Sequence, residues 1–162
     1  MPQTDIVGGT SAAGPSTVYE DAVMTGPQDQ IFVVTPRDRR AGPPTPGMDR
    51  WEAFASDGVW AGGARTEAGM VSGWHHHGDY QSVIFVLTGA LRMEFGPRGS
   101  NTVDAGPGDL VYVPRGVVHR ESDPSDEPAD LIVVRAGRGD STFNVDGPDP
   151  DARTPGDPHH PR

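Results

Sequence analysis

Apolar and polar residues alternate in short runs through the middle of the chain, and this pattern predicts β-strands. From Trp51 onward one run follows another, and turns rich in glycine and proline separate them. No amphipathic helix of any length is visible, so the pattern predicts an all-β sandwich or barrel. The expected strands are 30–35, 57–67, 69–77, 82–87, 90–95, 109–113, 117–121 and 130–135.

The run at 82–87 is almost wholly apolar, which is typical of a strand buried on both faces. Thr88 and Gly89 follow it as a tight turn, and 90–95 alternates, so the two segments predict a hairpin. The side chains expected to form the core are Phe85, Leu87, Met93, Phe95, Leu110 and Val133.

The ends of the chain differ in composition from its middle. Residues 1–27 are small and polar and predict a flexible N-terminal arm, whereas 146–162 are rich in Asp and Pro and predict a disordered acidic tail. No internal repeat is present, so 28–145 is expected to form a single β-barrel. Residues 36–47, rich in Pro and Arg, are expected to be a loop.

Composition removes several kinds of chemistry. The 162 residues include no cysteine and no lysine, so thiolate ligands, disulfides and Schiff bases are excluded, and any metal needs nitrogen or oxygen ligands. A net charge of −10 argues against nucleic acid and anionic membranes as partners. No apolar run is long enough for a membrane span and no signal peptide is visible, so a cytoplasmic protein is expected.

Three consecutive histidines, His75 to His77, end one predicted strand. Successive side chains of a strand point to opposite faces, so His75 and His77 share a face and His76 points away. Two buried imidazoles side by side leave lone pairs unpaired, and a shared cation removes that problem. His119, on a later strand behind the turn at 114–116, adds a third imidazole. Three histidines with open positions are typical of a catalytic metal site.

Two segments resemble the paired motifs of the cupin superfamily. Gly69 to Gly89 contains Gly-x5-His-x-His and the closing Gly of the first motif, and Gly108 to Asp123 contains Gly-x5-Pro-x-Gly-x2-His of the second. The resemblance covers about 57–137 and implies an RmlC-like double-stranded β-helix, or jelly-roll barrel, with one divalent metal ion per chain. The chain is similar to small single-domain metal-binding cupins of the actinobacterial type, and this likeness implies a homodimer.

The sequence departs from the cupin pattern at one ligand. The Glu of the first motif is absent, and Gln81 or Ser82 stands at its place. Gln81 offers a carbonyl oxygen, as in cupins with three His and one Gln, and is the predicted fourth ligand. Glu121 is an alternative, because it lies two residues after His119 on the same strand face, and a site of three histidines alone is another. Gln in place of Glu leaves the metal more positive by one charge.

These motifs define a fold more closely than a reaction. We expect a metal-dependent enzyme acting on a small organic substrate, with an Fe(II) dioxygenase as the first hypothesis. An Mn-, Zn- or Ni-dependent lyase, isomerase or polyketide-type cyclase is the alternative, and a non-catalytic ligand-binding cupin is the second alternative. Arg92, Tyr112 and Arg135 lie on strands that could face the interior, although a surface salt bridge is the simpler expectation for the arginines.

Overall fold

The computed structural model describes residues 30–149. Within them the chain forms two short 3-10 turns, at Pro36–Asp38 and Pro97–Gly99, and otherwise strands joined by turns and loops. The strands are β1 (Arg40–Ala41), β2 (Met48–Ser56), β3 (Val59–Thr66), β4 (His75–His76), β5 (Gln81–Thr88), β6 (Leu91–Phe95), β7 (Asn101–Ala105), β8 (Leu110–Val113), β9 (His119–Ser122), β10 (Ala129–Ala136) and β11 (Phe143–Asn144).

The strands form two antiparallel sheets. The first sheet has the order β1-β2-β3-β10-β5-β8, and the second has the order β11-β4-β9-β6-β7. The chain crosses between the sheets several times, so segments far apart in sequence become neighbours. This confirms the predicted all-β jelly-roll class.

The core lies between the two sheets and follows the period of two that strands impose. On β5, Ser82, Ile84 and Val86 are buried, whereas Val83 and Leu87 are 39% and 46% exposed. The prediction that 82–87 is buried on both faces is therefore wrong for the isolated chain. The larger of two buried clusters also contains Leu91, Met93, Ala105, Val111, Val113, Ala129 and Leu131.

Leu110 was also expected in the core and is 68% exposed instead. It pairs with Phe85 of β5 on the outer side of the first sheet, where Val83 and Leu87 also lie. By contrast Met93 is 3% exposed and Val133 packs against the core, as predicted.

The predicted strands 82–87, 90–95, 109–113, 117–121 and 130–135 correspond to β5, β6, β8, β9 and β10, and 57–67 corresponds to β3. The predicted strand at 30–35 is absent, because the edge of β2 pairs with Arg40–Ala41 instead. Only His75–His76 of 69–77 is a strand, with one further bridge between Val71 and Ser122. The 36–47 segment contains β1, and β2, β7 and β11 have no counterpart among the predicted strands.

The predicted N-terminal arm at 1–27 and residues 150–162 of the predicted tail lie outside the described residues. Among the residues that are described, none belongs to a helix long and apolar enough to cross a membrane.

Candidate metal centre

Three histidines meet on the inner side of the second sheet. His75 of β4 and His119 of β9 are cross-strand partners, and His77 follows two residues after His75. Their ring centroids lie 4.5 to 5.0 Å apart, and all three side chains are buried. One ligand nitrogen from each lies within 4.8 Å of the others, close enough for all three to share one metal ion. His76 points away and stacks on Phe143.

The backbone holds each of these imidazoles by its Nδ1 atom. The acceptors are the carbonyl oxygens of Gly73 for His75 (3.0 Å), Ser141 for His77 (2.7 Å) and Val117 for His119 (2.8 Å). A carbonyl oxygen can only accept, so the proton of each neutral ring lies on Nδ1 and Nε2 keeps its lone pair. The same arrangement fixes the tautomer and the ring orientation of metal-binding histidines.

The surroundings keep at least two of the rings neutral. Burial lowers the pKa of His77 to about 3, and the charge of Arg135 acts in the same direction. Burial also lowers the pKa of His119, against the opposing effects of Glu121 and the Val117 carbonyl. A metal ion binds the deprotonated nitrogen, so these rings are in the required state at neutral pH.

Glu121 places a carboxylate next to the three rings. Its Oε2 lies 3.5 Å from Nε2 of His75 and accepts a hydrogen bond of 2.9 Å from the Ser72 hydroxyl. Burial raises the pKa of Glu121, but His75, His119, Arg50 and the Ser72 bond outweigh it, and the pKa stays below its ordinary value. Two acceptors, Nε2 and Oε2, thus face each other, and a cation between them would satisfy both. The donor set fits a divalent metal ion.

The structure does not bring Gln81 to this cluster. Gln81 begins β5 with its Oε1 accepting a 2.9 Å hydrogen bond from the Tyr112 hydroxyl, on the exposed side of the sheet. Its neighbour Ser82 faces the interior instead. Because side chains alternate along a strand, both cannot face inward. Glu121, the alternative weighed from the sequence, is the residue that lies beside His75.

A cavity of about 430 Å³ opens beside the histidines, between the two sheets. His77, His119 and Glu121 line one side of it, and a group of apolar side chains, Ile84, Leu91, Leu131 and Val133, lines another. This volume suits a small organic molecule. A second cavity of about 450 Å³ touches His119 alone among the three imidazoles, and its walls are mainly apolar.

The three candidate inward residues have different surroundings. Arg92 forms the expected surface salt bridge, an exposed ion pair with Asp104 (2.6 Å), and Tyr112 is 59% exposed. Arg135 lines the cavity instead, with its guanidinium 4.9 Å from the ring centroid of Trp60. The surface salt bridge expected for Arg135 is therefore wrong.

Two residues that contact Glu121, Arg50 and Ser72, were not predicted from the sequence. Arg50 lies on β2, a strand whose charged residues obscure its alternation. Ser72 could have been predicted near the site, because it precedes the three histidines within the same motif. The carbonyl of Ser141 that holds His77 has no sequence signal, because any residue provides one.

Known proteins share this fold. Residues 64–135 match the family model of the Cupin domain, so this part of the chain is a cupin domain. No curated protein is similar enough in sequence to count as a match.

Three solved structures illustrate the likeness. The polyketide cyclase RemF of Streptomyces resistomycificus has 19% identity and a TM-score of 0.59, over 72% of this chain and 86% of its own. An RmlC-like cupin of Shewanella frigidimarina has 17% identity and a TM-score of 0.55, over 67% and 93%. Oxalate decarboxylase of Bacillus subtilis, which has Mn(II) centres, has 20% identity and a TM-score of 0.54, over 61% and 28%. At these identities the likeness concerns the fold.

Proposed function

We propose that this cupin is a mononuclear metal-dependent enzyme acting on a small organic substrate. His75, His77 and His119 would hold the divalent ion, with Glu121 as the fourth group. The observation that carries the proposal is the direction of the rings: each Nδ1 is committed to a carbonyl, which leaves three Nε2 lone pairs and one carboxylate for a shared cation. Packing alone gives no reason for two acceptors to face each other in a buried site.

The first function we propose is that of an Fe(II) dioxygenase, which inserts both atoms of O2 into its substrate. The substrate would be the reductant of O2, and bound iron would relay its electrons and offer the open positions where the two molecules meet. The protein would contribute neutral imidazole ligands and a cavity whose apolar wall limits the entry of water. The cavity opens directly onto His77 and His119, so a molecule within it lies against the ligands.

A second function, that of a lyase, isomerase or polyketide-type cyclase with Mn, Zn or Ni, is favoured by Glu121. In this alternative the three histidines alone would hold the metal, and Glu121 would act as the base: its pKa is held below the ordinary value, so it is ionised at neutral pH and can accept a proton from a substrate in the cavity. The metal would polarise a carbonyl oxygen of the substrate. The likeness to the polyketide cyclase RemF agrees with this alternative at the level of the fold.

Iron-loaded protein and nitric oxide, a stable analogue of O2, test the first function without a known substrate. We expect the electron paramagnetic resonance signal of an iron–nitrosyl centre in the wild type and its loss in His119→Ala. Oxygen consumption with a panel of small organic acids, diketones and phenols then follows. If iron binds but neither nitric oxide nor O2 reacts, and the zinc or manganese form converts a substrate, the second function is correct. A protein that binds metal and ligands but converts none of them would be a binding cupin.

A further inference from the structure

The cavity beside the metal centre is positively charged, although the chain as a whole is acidic. Three guanidinium groups line it, those of Arg40, Arg50 and Arg135, against two carboxylates, those of Glu52 and Glu121. A divalent ion on three neutral histidines would add further positive charge. In a chain with a net charge of −10, this local reversal favours an anionic ligand.

The two carboxylates of the cavity already have cationic partners. Glu52 lies 3.4 Å from Arg40 and accepts a hydrogen bond of 2.6 Å from the Trp60 indole. Glu121 lies 3.5 Å from Arg50. Arg135, by contrast, forms no ion pair with any carboxylate within residues 30–149.

Arg135 is held in place with hydrogen-bonding capacity to spare. Its guanidinium carbon lies 4.9 Å from the centroid of the Trp60 ring, and Trp60 is its strand neighbour on β3. Its Nε is buried and has no hydrogen-bond partner. Burial and the nearby Arg50 lower the pKa of Arg135 to about 10, which leaves it charged at neutral pH.

Ser82 is the strand neighbour of Arg135 on β5 and shows the same feature. Its side chain is 1% exposed and lines the cavity, and its hydroxyl has no hydrogen-bond partner. Buried polar atoms without partners are rare in folded proteins, and two on adjacent strands facing one cavity indicate a missing ligand group. A water molecule could satisfy both atoms, but it would not neutralise the guanidinium.

We propose that Arg135 and Ser82 bind the carboxylate of the substrate, so that the substrate is a small organic carboxylate. The Arg135 fork would donate to the carboxylate oxygens and the Ser82 hydroxyl would donate beside it. The apolar side chains of the cavity would hold the body of the molecule, with its reacting end toward the histidines. This inference rests on the proposed function for the reaction, but the binding it describes does not require the metal.

A carboxylate fits the cavity better than a phosphate does. Glu52 and Glu121 line the same space, so each additional negative charge on the ligand is opposed by two nearby carboxylates. A single negative charge matches the single guanidinium without an ion-pair partner. The site thus predicts a preference for acids over both their amides and the corresponding phosphates.

Three matched molecules test this preference: 4-fluorobenzoate, 4-fluorobenzamide and 4-fluorophenyl phosphate. Their binding is measured by fluorine NMR on the full chain, both metal-free and loaded with zinc. In the metal-free protein we expect the benzoate to bind about tenfold to a hundredfold more tightly than the amide, as for one charge-assisted hydrogen-bonded pair, and more tightly than the phosphate. The metal-free sample matters because zinc itself can bind a carboxylate.

Variants test whether Arg135 and Ser82 cause the tighter binding of benzoate. Arg135→Gln should remove most of it, Arg135→Lys should keep part of it because the charge remains, and Ser82→Ala should weaken benzoate binding by several-fold. Arg92→Gln is the matched control, since Arg92 does not line the cavity and forms an exposed ion pair with Asp104, and it should change nothing. Thermal unfolding of each variant checks folding, and if Arg135→Gln does not fold, Ser82→Ala and Arg135→Lys decide.

Any one of four results would overturn the inference. The first two are equal binding of benzoate and amide, and tighter binding of the phosphate than of the benzoate. The others are no benzoate binding at millimolar concentration, and unchanged benzoate binding in folded Arg135→Gln. Zinc content is measured in the same samples. A protein without zinc would count against the proposed function, whereas the acid preference of the metal-free form still decides the present inference.

Discussion

Asp123 anchors the end of the strand that carries His119 and Glu121, and its replacement by alanine should destabilise the protein measurably. Its side chain is 2% exposed. One carboxylate oxygen accepts from the Thr66 hydroxyl (2.9 Å), and the other accepts from the backbone N–H (3.0 Å) and hydroxyl (2.7 Å) of Ser125. The carboxylate thus ties β9 to β3 and to the loop before β10.

The size of the loss follows from what each partner keeps. A hydrogen bond to a charged group contributes about 1.5–3 kcal/mol, so three bonds set an upper limit of several kcal/mol. Thr66 retains its bonds with Ala129, and the Ser125 hydroxyl retains the carbonyl of Glu127. Only the Ser125 N–H loses its partner, and removing a buried carboxylate also removes its desolvation cost. We expect a net loss of about 2–3 kcal/mol in the free energy of unfolding.

Urea unfolding of the metal-free protein measures this loss without a contribution from metal binding. Asp104→Ala is the matched control, since Asp104 is exposed in its ion pair with Arg92 and should contribute less than about 1 kcal/mol. Asp123→Asn should retain part of the stability, because the amide oxygen still accepts. A loss for Asp123→Ala no larger than that of the control would refute the reasoning.

Three further predictions follow from the site and the sheets. In zinc titrations against a competing chelator, Glu121→Gln should weaken binding about tenfold to a hundredfold, whereas Gln81→Ala should leave it unchanged. Weaker zinc binding in Gln81→Ala together with unchanged binding in Glu121→Gln would instead indicate Gln81 as the ligand. The metal-free protein should lose stability as the pH falls below about 6.5, because the folded-state pKa of His77 is depressed to about 3 and the unfolded chain takes up the proton first; a urea midpoint that is constant with pH would contradict this. We also expect a homodimer in which a second copy covers the exposed row formed by Tyr112, Val83 and Val134. Light scattering should then show monomers for Val83→Arg but not for Val103→Arg, which lies on the other sheet. A wild-type protein that is a monomer would rule the dimer out.

The histidine cluster could be predicted because it depends on local geometry. The alternation of side chains puts His75 and His77 on one face whatever the rest of the chain does. The turns at Gly89 and Gly116, with φ angles of 74° and 68°, need glycine and direct the following strands, including the one with His119, back over the sheet. The spacing of both motifs therefore predicted the fold and the three candidate metal ligands.

The orientation of Gln81 could not be settled from the sequence, because it depended on a single residue. The turn after His77 sets where β5 begins, and a shift of one position exchanges Gln81 and Ser82 between the two faces. Glu121 needed no such decision, since it lies on the same strand as His119.

The residues of the cavity were missed because they invert the usual pattern. Arg50 and Glu52 line the cavity, so on the inner side of β2 the buried Met48 is followed by two charged residues and not by further apolar ones. On β10 nearly every residue is apolar, so the sequence did not show which face Arg135 shares with Leu131 and Val133. Polar groups placed inside for binding are the part of a barrel that hydrophobic patterning describes least well.

We propose that one divalent metal ion binds between His75, His77 and His119. Elemental analysis of untagged protein, wild type beside His119→Ala, tests it most directly, both as purified and after reconstitution with iron, manganese, zinc or nickel. Any metal bound by His159 and His160 would be equal in the two proteins. We expect close to one metal ion per chain in the wild type and its loss in the variant. A wild type that holds no metal, or a variant that holds just as much, would contradict it.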